Sequence, residues 1–437
     1  MMRIVSILLI TGLMLGCDTE RNIPPLDNDT FLKFYGEEGE QTGVDFVLLP
    51  DNTIVMVGNS TRQPTANQMI YVVKVDLIGN VIWENIIGLS DKNNTVKDIE
   101  LHPDGRLIIA GETEMAPGNR DVFVKILNDN GSELDSIRYG LNRYLASGGD
   151  EEVNSITIIS QGLTHPAGFI VSGSTTDIPF NALKPDDIKD GLILRLLDSP
   201  LTEISISDWR SKGEDNSEDV VVKVIQEDNN TYYGFGYTNR ETNTSKDFKY
   251  WIFKLNDAGG ELNNGVILGL PTEDEKLRTV VDVNTTDLFD KGFLLGGVAV
   301  DNSGNKRGFF VKLKRTIVFG TPSAQDAKQV YSFPLGTSAI EKMNGFYNLS
   351  NNDFLILSTQ NTNIALAEDL SLFKFDREIQ PVWGPEAFGG ESTDEAGAVL
   401  QLPNGKIMII GTVKVGGLRG QQKMALMKLN DEGKLLR

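Results

Sequence analysis

The chain has 437 residues, 41 of them Lys or Arg and 61 Asp or Glu, which gives a formal charge of −20 and a pI near 4.6. A body this acidic is repelled by phosphate backbones and anionic headgroups, so nucleic acid is excluded as an expected partner. The hydrophobic share of 40 % and the 44 glycines suit many strands joined by tight turns around a core; the two histidines and one cysteine exclude an intrachain disulfide and leave no expectation of a His-rich zinc site or of Cys- or His-dependent catalysis.

At the N-terminus Arg3 precedes Ile4 to Leu15, a nearly unbroken apolar run of about a dozen residues. That is the length of a signal h-region and too short to span a bilayer comfortably. The run ends in Leu13-Met14-Leu15-Gly16-Cys17. This ending resembles the lipobox of bacterial lipoproteins, with a small residue ahead of the cysteine to be modified and Met14 where leucine is usual. The resemblance implies that residues 1–16 are a signal peptide and that Cys17 becomes the acylated first residue of the mature protein. Several acyl chains on that residue would give stable anchoring in the lipid bilayer. Residues 17–29, mostly polar with Pro24 and Pro25, then read as a lipidated tether.

Residues 30–437 carry a repeat. Its clearest copy begins at Asp45 with an apolar strand to Leu49, a turn at Pro50-Asp51-Asn52 and a second strand from Thr53 to Gly58. A polar loop follows, then a third strand from Tyr71 to Asp76, a turn at Gly79-Asn80 and a fourth strand from Val81 to Gly88. The same order returns from Val96 to Gly140 and again from Ala398 to Gly433, with weaker copies whose second strands end near Gly173, Gly236, Gly296 and Ser358. Third strands carry a basic residue at Lys74, Lys125, Arg195, Lys254, Lys312, Lys374 and Lys428. Units close at Gly36, Gly88, Gly140, Gly213, Gly269, Gly336 and Gly390, with spacings of roughly 47 to 73 residues and a basic period near 52.

The pattern predicts an all-β fold: a single β-propeller of about seven four-stranded blades. Phe31 to Tyr35 and the chain end at Leu435 and Leu436 are expected to share the outer strand of the last blade and so close the ring. The repeat resembles those of seven-bladed propellers common among exported lipoproteins of Bacteroidota-like bacteria, and its Lys-x-Asp, turn, Gly-x-x-x-Trp pattern resembles quinoprotein-type repeats. The first resemblance implies an outer-membrane rather than inner-membrane anchor. The second brings no recognisable cofactor ligands, so neither a cofactor nor a metal is expected.

His102 and His165 fall in turns between first and second strands. Asp45, Asp98, Asp219 and Asp394 recur near the starts of first strands, where carboxylates cap loops or face the channel. Trp83, Trp209 and Trp383 sit at related places in fourth strands and read as packing between blades, and Trp251 lies in a third strand. Asn128 to Gly131 and Asp301 to Gly304 resemble calcium loops only superficially, because neither continues to a bidentate Glu.

The links between second and third strands are long and varied: Asn59 to Met69, Glu112 to Asp121, Ser174 to Asp190, Thr238 to Phe248. Rigid scaffolds commonly display function on such loops. The loop from Ser174 to Asp190 combines an apolar anchor, Phe180, with Asp186, Asp187 and Asp190. The expected function is a monomeric, non-catalytic binding or assembly module of the cell envelope that engages a protein or glycan through this face. The alternative is a carbohydrate-active or other hydrolase that uses carboxylates at the channel mouth.

Overall fold

The computed structural model describes residues 30–436 except 62–66, 141–148, 177–187, 204–210, 213–216, 241–246, 263–264, 271, 284–290, 316–326, 334–339, 350, 352, 362–366, 391 and 417–419. Cys17, Phe180, Asp186, Asp187 and Trp209 therefore lie outside the described residues. All described elements are strands, and they form seven antiparallel sheets. No helix among the described residues is long and apolar enough to cross a membrane.

Innermost to outermost, blade 1 runs Asp45–Leu48, Ile54–Thr61, Met69–Val75, Val81–Ile87, and blade 2 runs Asn93–Leu101, Leu107–Ala116, Asn119–Leu127, Glu133–Tyr139. Blade 3 has Glu151–Ile159, Gly168–Thr175 and Asp190–Leu197, and its outer edge is split into Thr202–Glu203 and Ser211–Lys212. Blade 4 is Asp219–Gln226, Thr231–Thr238, Lys249–Asn256, Val266–Leu268; blade 5 is Asp274–Val283, Gly292–Val300, Lys306–Lys314, Ala327–Phe333. Blade 6 is Ile340–Asn348, Phe354–Asn361, Glu368–Phe375, Pro381–Phe388, and blade 7 is Glu395–Gln401, Ile407–Val415, Gln421–Leu429 with Phe31–Tyr35 outermost.

The innermost strands pack side by side in sequence, and Glu395–Gln401 returns to Asp45–Leu48, so the seven sheets form a closed ring. This is a seven-bladed β-propeller. The apolar residues fall into seven clusters, each lying between two adjacent blades. Every middle strand is therefore buried on both faces, which is why those segments read as near-continuous runs such as Leu107–Gly111 and Phe169–Val171. Each fully buried Leu, Ile, Val or Phe contributes roughly 1.5–3 kcal/mol.

Closure differs in detail from the sequence reading. Phe31–Tyr35 alone forms the outer strand of blade 7, paired antiparallel with Met424 to Lys428. Leu435 and Leu436 follow the Asn430–Gly433 turn outside any strand, and the Leu436 carbonyl accepts a hydrogen bond from Thr30 Oγ1 at 3.1 Å. The second-to-third connection of blade 2 is also shorter than expected: its strands extend to Ala116 and from Asn119, so only a tight turn joins them.

The glycine that ends most second strands has a steric cause. The innermost strand bulges opposite it and drives a carbonyl against its Cα. A Cβ would lie 1.7 Å from the Thr42 oxygen at Gly58, 2.1 Å from Thr95 at Gly111 and 2.0 Å from Val220 at Gly236. Blade 6 has Ser358 at this place. The bulge adds one unpaired residue to the innermost strand, between Val96 and Asp98, Val153 and Ser155, Val221 and Lys223, Leu277 and Thr279.

The third-strand basic residues are structural. Lys428 and Lys312 donate to the Leu77 and Arg377 carbonyls in turns of the next blade, at 3.0 and 2.7 Å. Lys74 and Arg195 hold Asp51 and the Pro166 carbonyl in turns of their own blades. Lys125 departs from this set: it is one residue out of register, because Ile126 takes the buried place and Lys125 pairs with Glu133 at 2.7 Å. Trp83 and Trp383 pack across blade boundaries as expected. Trp83 Nε1 donates to the Asp129 carbonyl at 3.1 Å over Gly131, and Trp383 covers Gly433. Trp251 is fully buried.

Candidate functional site

The bulges determine what faces the central channel. The residue just past each bulge points inward, which gives Asp45, Asp98, Ser155, Lys223, Thr279, Gly345 and Ala398 around a waist of about 270 Å³. The extra residues Lys97, Asn154, Arg278 and Asn344 line the same waist. Strand alternation returns the residue two further on to the same side. Glu100, Thr157, Ile225 and Val281 accordingly line a wider mouth of about 630 Å³, which Lys223 also reaches. This mouth opens on the face of the tight turns that include His102 and Pro103.

The lining is unequal around the ring. The carboxylates stand on blades 1 and 2, with Lys97 beside them on blade 2; blades 4 and 5 bring only base, Lys223 and Arg278, and Gly345 and Ala398 put no charge on blades 6 and 7. Asp45 Oδ1 accepts from the Phe46 N–H at 2.8 Å and Oδ2 from the Ile99 N–H of blade 2 at 3.3 Å; Asp98 Oδ2 accepts from the Ile156 N–H of blade 3 at 2.8 Å. Burial, and then the Asp98 carboxylate beside it, push the Asp45 carboxyl well above the usual range, and the two side chains share a hydrogen bond. Burial pushes Glu100 up to about 7; the Lys223 ammonium opposes this and Asp98 adds to it.

Asp219 and Asp394 belong to a different repeat position. With Gln41, Asn94, Glu151 and Glu275 they form a buried polar set at the starts of the innermost strands. Asp394 accepts from the Gly390 and Lys414 amides at 2.8 and 2.7 Å, Glu275 from the Leu270 amide at 2.9 Å, and Asn94 caps the link through Leu89. These residues fix the blade-to-blade links.

The feet of the second-to-third loops lie on the same face as those links. The amides of Asn94, Asp219, Glu275 and Asp394 donate to the carbonyls of Gln68, Lys189, Phe248 and Glu368. Asp190 stands at the foot of the longest loop, buried, and pairs in register with Thr175. Beside it Arg120 binds Asp150, Glu152 and Glu112 at 2.5, 2.6 and 3.3 Å. Burial works against ionisation of Glu152, but hydrogen bonds from Lys189 and Arg120 prevail and bring it down to about 2.

Both histidines are held in turns. His102 Nδ1 lies 2.6 Å from Asp104, and His165 Nδ1 lies 2.8 Å from Thr164 Oγ1 and 3.4 Å from Asp257. Asn128 and Asp301 satisfy the amides of their own turns, those of Asn130 and Ser132 and those of Ser303 and Asn305. No group of three or more His, Cys, Asp or Glu able to hold a metal is found among the described residues. The channel residues Glu100, Thr157, Lys223 and Arg278 were not singled out from the sequence. Counting from the repeat glycine would have reached Lys223 directly.

The chain matches no family model, and no curated protein matches its sequence. Among solved structures it is similar to a protein of unknown function from Dyadobacter fermentans, at 9 % identity and a TM-score of 0.48 over 92 % of this chain and 97 % of that one. It is also similar to the β-propeller domain of the Trilobed protease from Pyrococcus furiosus (10 %, 0.45, 91 % and 98 %). A third is the α-L-arabinanase of Penicillium chrysogenum in complex with arabinobiose (12 %, 0.44, 76 % and 92 %). At these identities the likeness is one of fold alone.

Proposed function

We propose that the chain is a lipid-anchored recognition module of the cell envelope, held in the outer membrane through Cys17 and engaging a protein or glycan through its long-loop face. One observation carries the choice of face: the longest loop rises from a locked foot, with Thr175 opposite Asp190 and the Lys189 carbonyl bound by the next blade. A fixed foot lowers the entropy lost when a loop meets its partner. Phe180 is the apolar anchor in this reading, and Asp186 and Asp187 supply charge toward a basic partner. The test replaces residues 177–187 with Gly-Asn-Gly, which keeps the Thr175–Asp190 pair. Folding and membrane retention should persist while crosslinking to envelope partners falls; undiminished crosslinking overturns the choice of face. Cys17→Ala should abolish acyl labelling and release the body from membranes.

The hydrolase reading has one observation in its favour, two neighbouring channel carboxyls, Asp45 and Asp98, of which Asp45 is pushed well above the usual range by burial and by the Asp98 charge. Its geometry works against that reading. Glycosidase carboxyls flank the sugar about 5 to 9.5 Å apart, whereas these two hydrogen-bond each other and spend their other oxygens on backbone amides of blades 1 to 3. Release of nitrophenol from aryl glycosides, lost on Asp98→Asn in a protein that remains folded, would restore the hydrolase reading.

A further inference from the structure

The wider mouth lies on the face opposite the long loops, and its lining is divided in a way that repetition does not require. Three successive blades place a carboxyl, a hydroxyl and an ammonium side by side: Glu100, Thr157 and Lys223. The neighbouring arc is aliphatic, with Ile225 and Val281. Among the described residues, neither Glu100 nor Lys223 makes a hydrogen bond, and the Thr157 hydroxyl is buried without a partner. The neighbouring channel carboxylates are engaged: Asp45 and Asp98 accept from backbone amides, and Asp282, in the same mouth, accepts from Arg315 at 2.9 Å. Buried polar groups are ordinarily satisfied, so an unpartnered Thr157 hydroxyl, flanked by a half-buried carboxyl and a half-buried ammonium whose side chains make no hydrogen bond among the described residues, in a cavity of about 630 Å³, marks groups held for a ligand.

The chemistry of the lining selects the ligand. Opposite charges on either side of a single blade, with the Thr157 hydroxyl between them, match a head that carries both charges on neighbouring atoms. The aliphatic arc beside them matches a short hydrocarbon side chain. The lining has no Phe, Tyr or Trp on which a sugar ring could stack. We propose that this mouth binds a free aliphatic α-amino acid, its ammonium on Glu100, its carboxylate on Lys223 and its side chain against Ile225 and Val281. Thr157 lies between the two charged groups and serves either end of the head as donor or acceptor. The proposal goes beyond the envelope-recognition reading and is independent of it, because the two use opposite faces.

L-leucine is the probe, titrated calorimetrically into the full propeller, with 4-methylpentanoate and isoamylamine as analogues that each lack one charge. Leucine should bind, and each analogue should bind about tenfold to hundredfold more weakly, the loss expected when a buried charged group is left unpaired. Glu100→Gln and Lys223→Met should weaken leucine binding by a similar factor. The variant lacking residues 177–187 should bind leucine unchanged, so failure of the loop-face reading leaves this result intact and the converse also holds. No heat with millimolar leucine on folded protein overturns the proposal, as does full retention of binding in both Glu100→Gln and Lys223→Met. Thermal melts of both variants show whether the ring is intact when binding is lost.

Discussion

Glu100→Gln should make the protein more stable, and only at neutral or higher pH. A carboxyl moved from its ordinary 4.5 to about 7 is protonated in the native ring over a pH range where the unfolded chain has already released its proton. The native state therefore binds more protons between those values, and stability falls as pH rises through the window. Above pH 7 the accumulated cost levels off at about 3 kcal/mol. Glutamine is nearly isosteric and has no charge to desolvate, and Glu100 makes no hydrogen bond among the described residues that the amide would break. The variant should gain most of that 3 kcal/mol at pH 8 and almost nothing at pH 4.5. Urea unfolding of both proteins at the two pH values measures the difference, and the subtraction cancels Glu275, which burial also pushes up to about 7. An equal gain at both pH values, or no gain at pH 8, would refute the placement of Glu100 as a desolvated charge. Losing ligand binding while gaining stability would show that the group is retained at a cost to the fold.

Gly111→Ala places a Cβ 2.1 Å from the Thr95 carbonyl and should cost about 3 kcal/mol or more, seen as a lowered urea midpoint; a neutral result would refute the bulge as the reason for the repeat glycine. Trp83→Ala removes the cover over Gly131 and the bond to the Asp129 carbonyl, with an expected loss of about 1–2 kcal/mol by thermal melt. Deleting residues 30–36 strips the outer strand of blade 7, including the buried Tyr35 and its bond to the Gly79 carbonyl, and exposes the edge at Gln421–Leu429. Light scattering should then report association through that edge.

The blades were legible in the sequence because the forces that make them are local and repeated. Turn chemistry at Pro50-Asp51-Asn52 or Pro403-Asn404-Gly405 and doubly buried strands such as Ile54–Val57 mark each hairpin without any tertiary information. Trp83 and Trp383 were legible as blade packing for the same reason. The channel was not, because its position depends on a one-residue bulge that a pattern of apolar runs does not reveal. Asp45 and Asp98 therefore grouped with Asp219 and Asp394, although one pair faces the channel and the other caps links three register positions away. Lys125 joined the basic set by spacing alone and faces the other way. The outer edge of blade 3, split at Thr202–Glu203 and Ser211–Lys212, carries too few residues per segment to leave a periodic trace.

The strand Phe31–Tyr35 also defines a mechanical path. It is clasped to Met424–Lys428 by five residue pairs, and it directly continues the segment that would run to an acylated Cys17. With such an anchor, any pull between body and membrane is delivered first to the bond from Thr30 to the Leu436 carbonyl and then to the Phe31–Lys428 pair, before the rest of the ring bears load. A partner that drags on the long-loop face would thus work against the ring's own fastening. A cut within residues 18–29 would shed the body with its fastening whole.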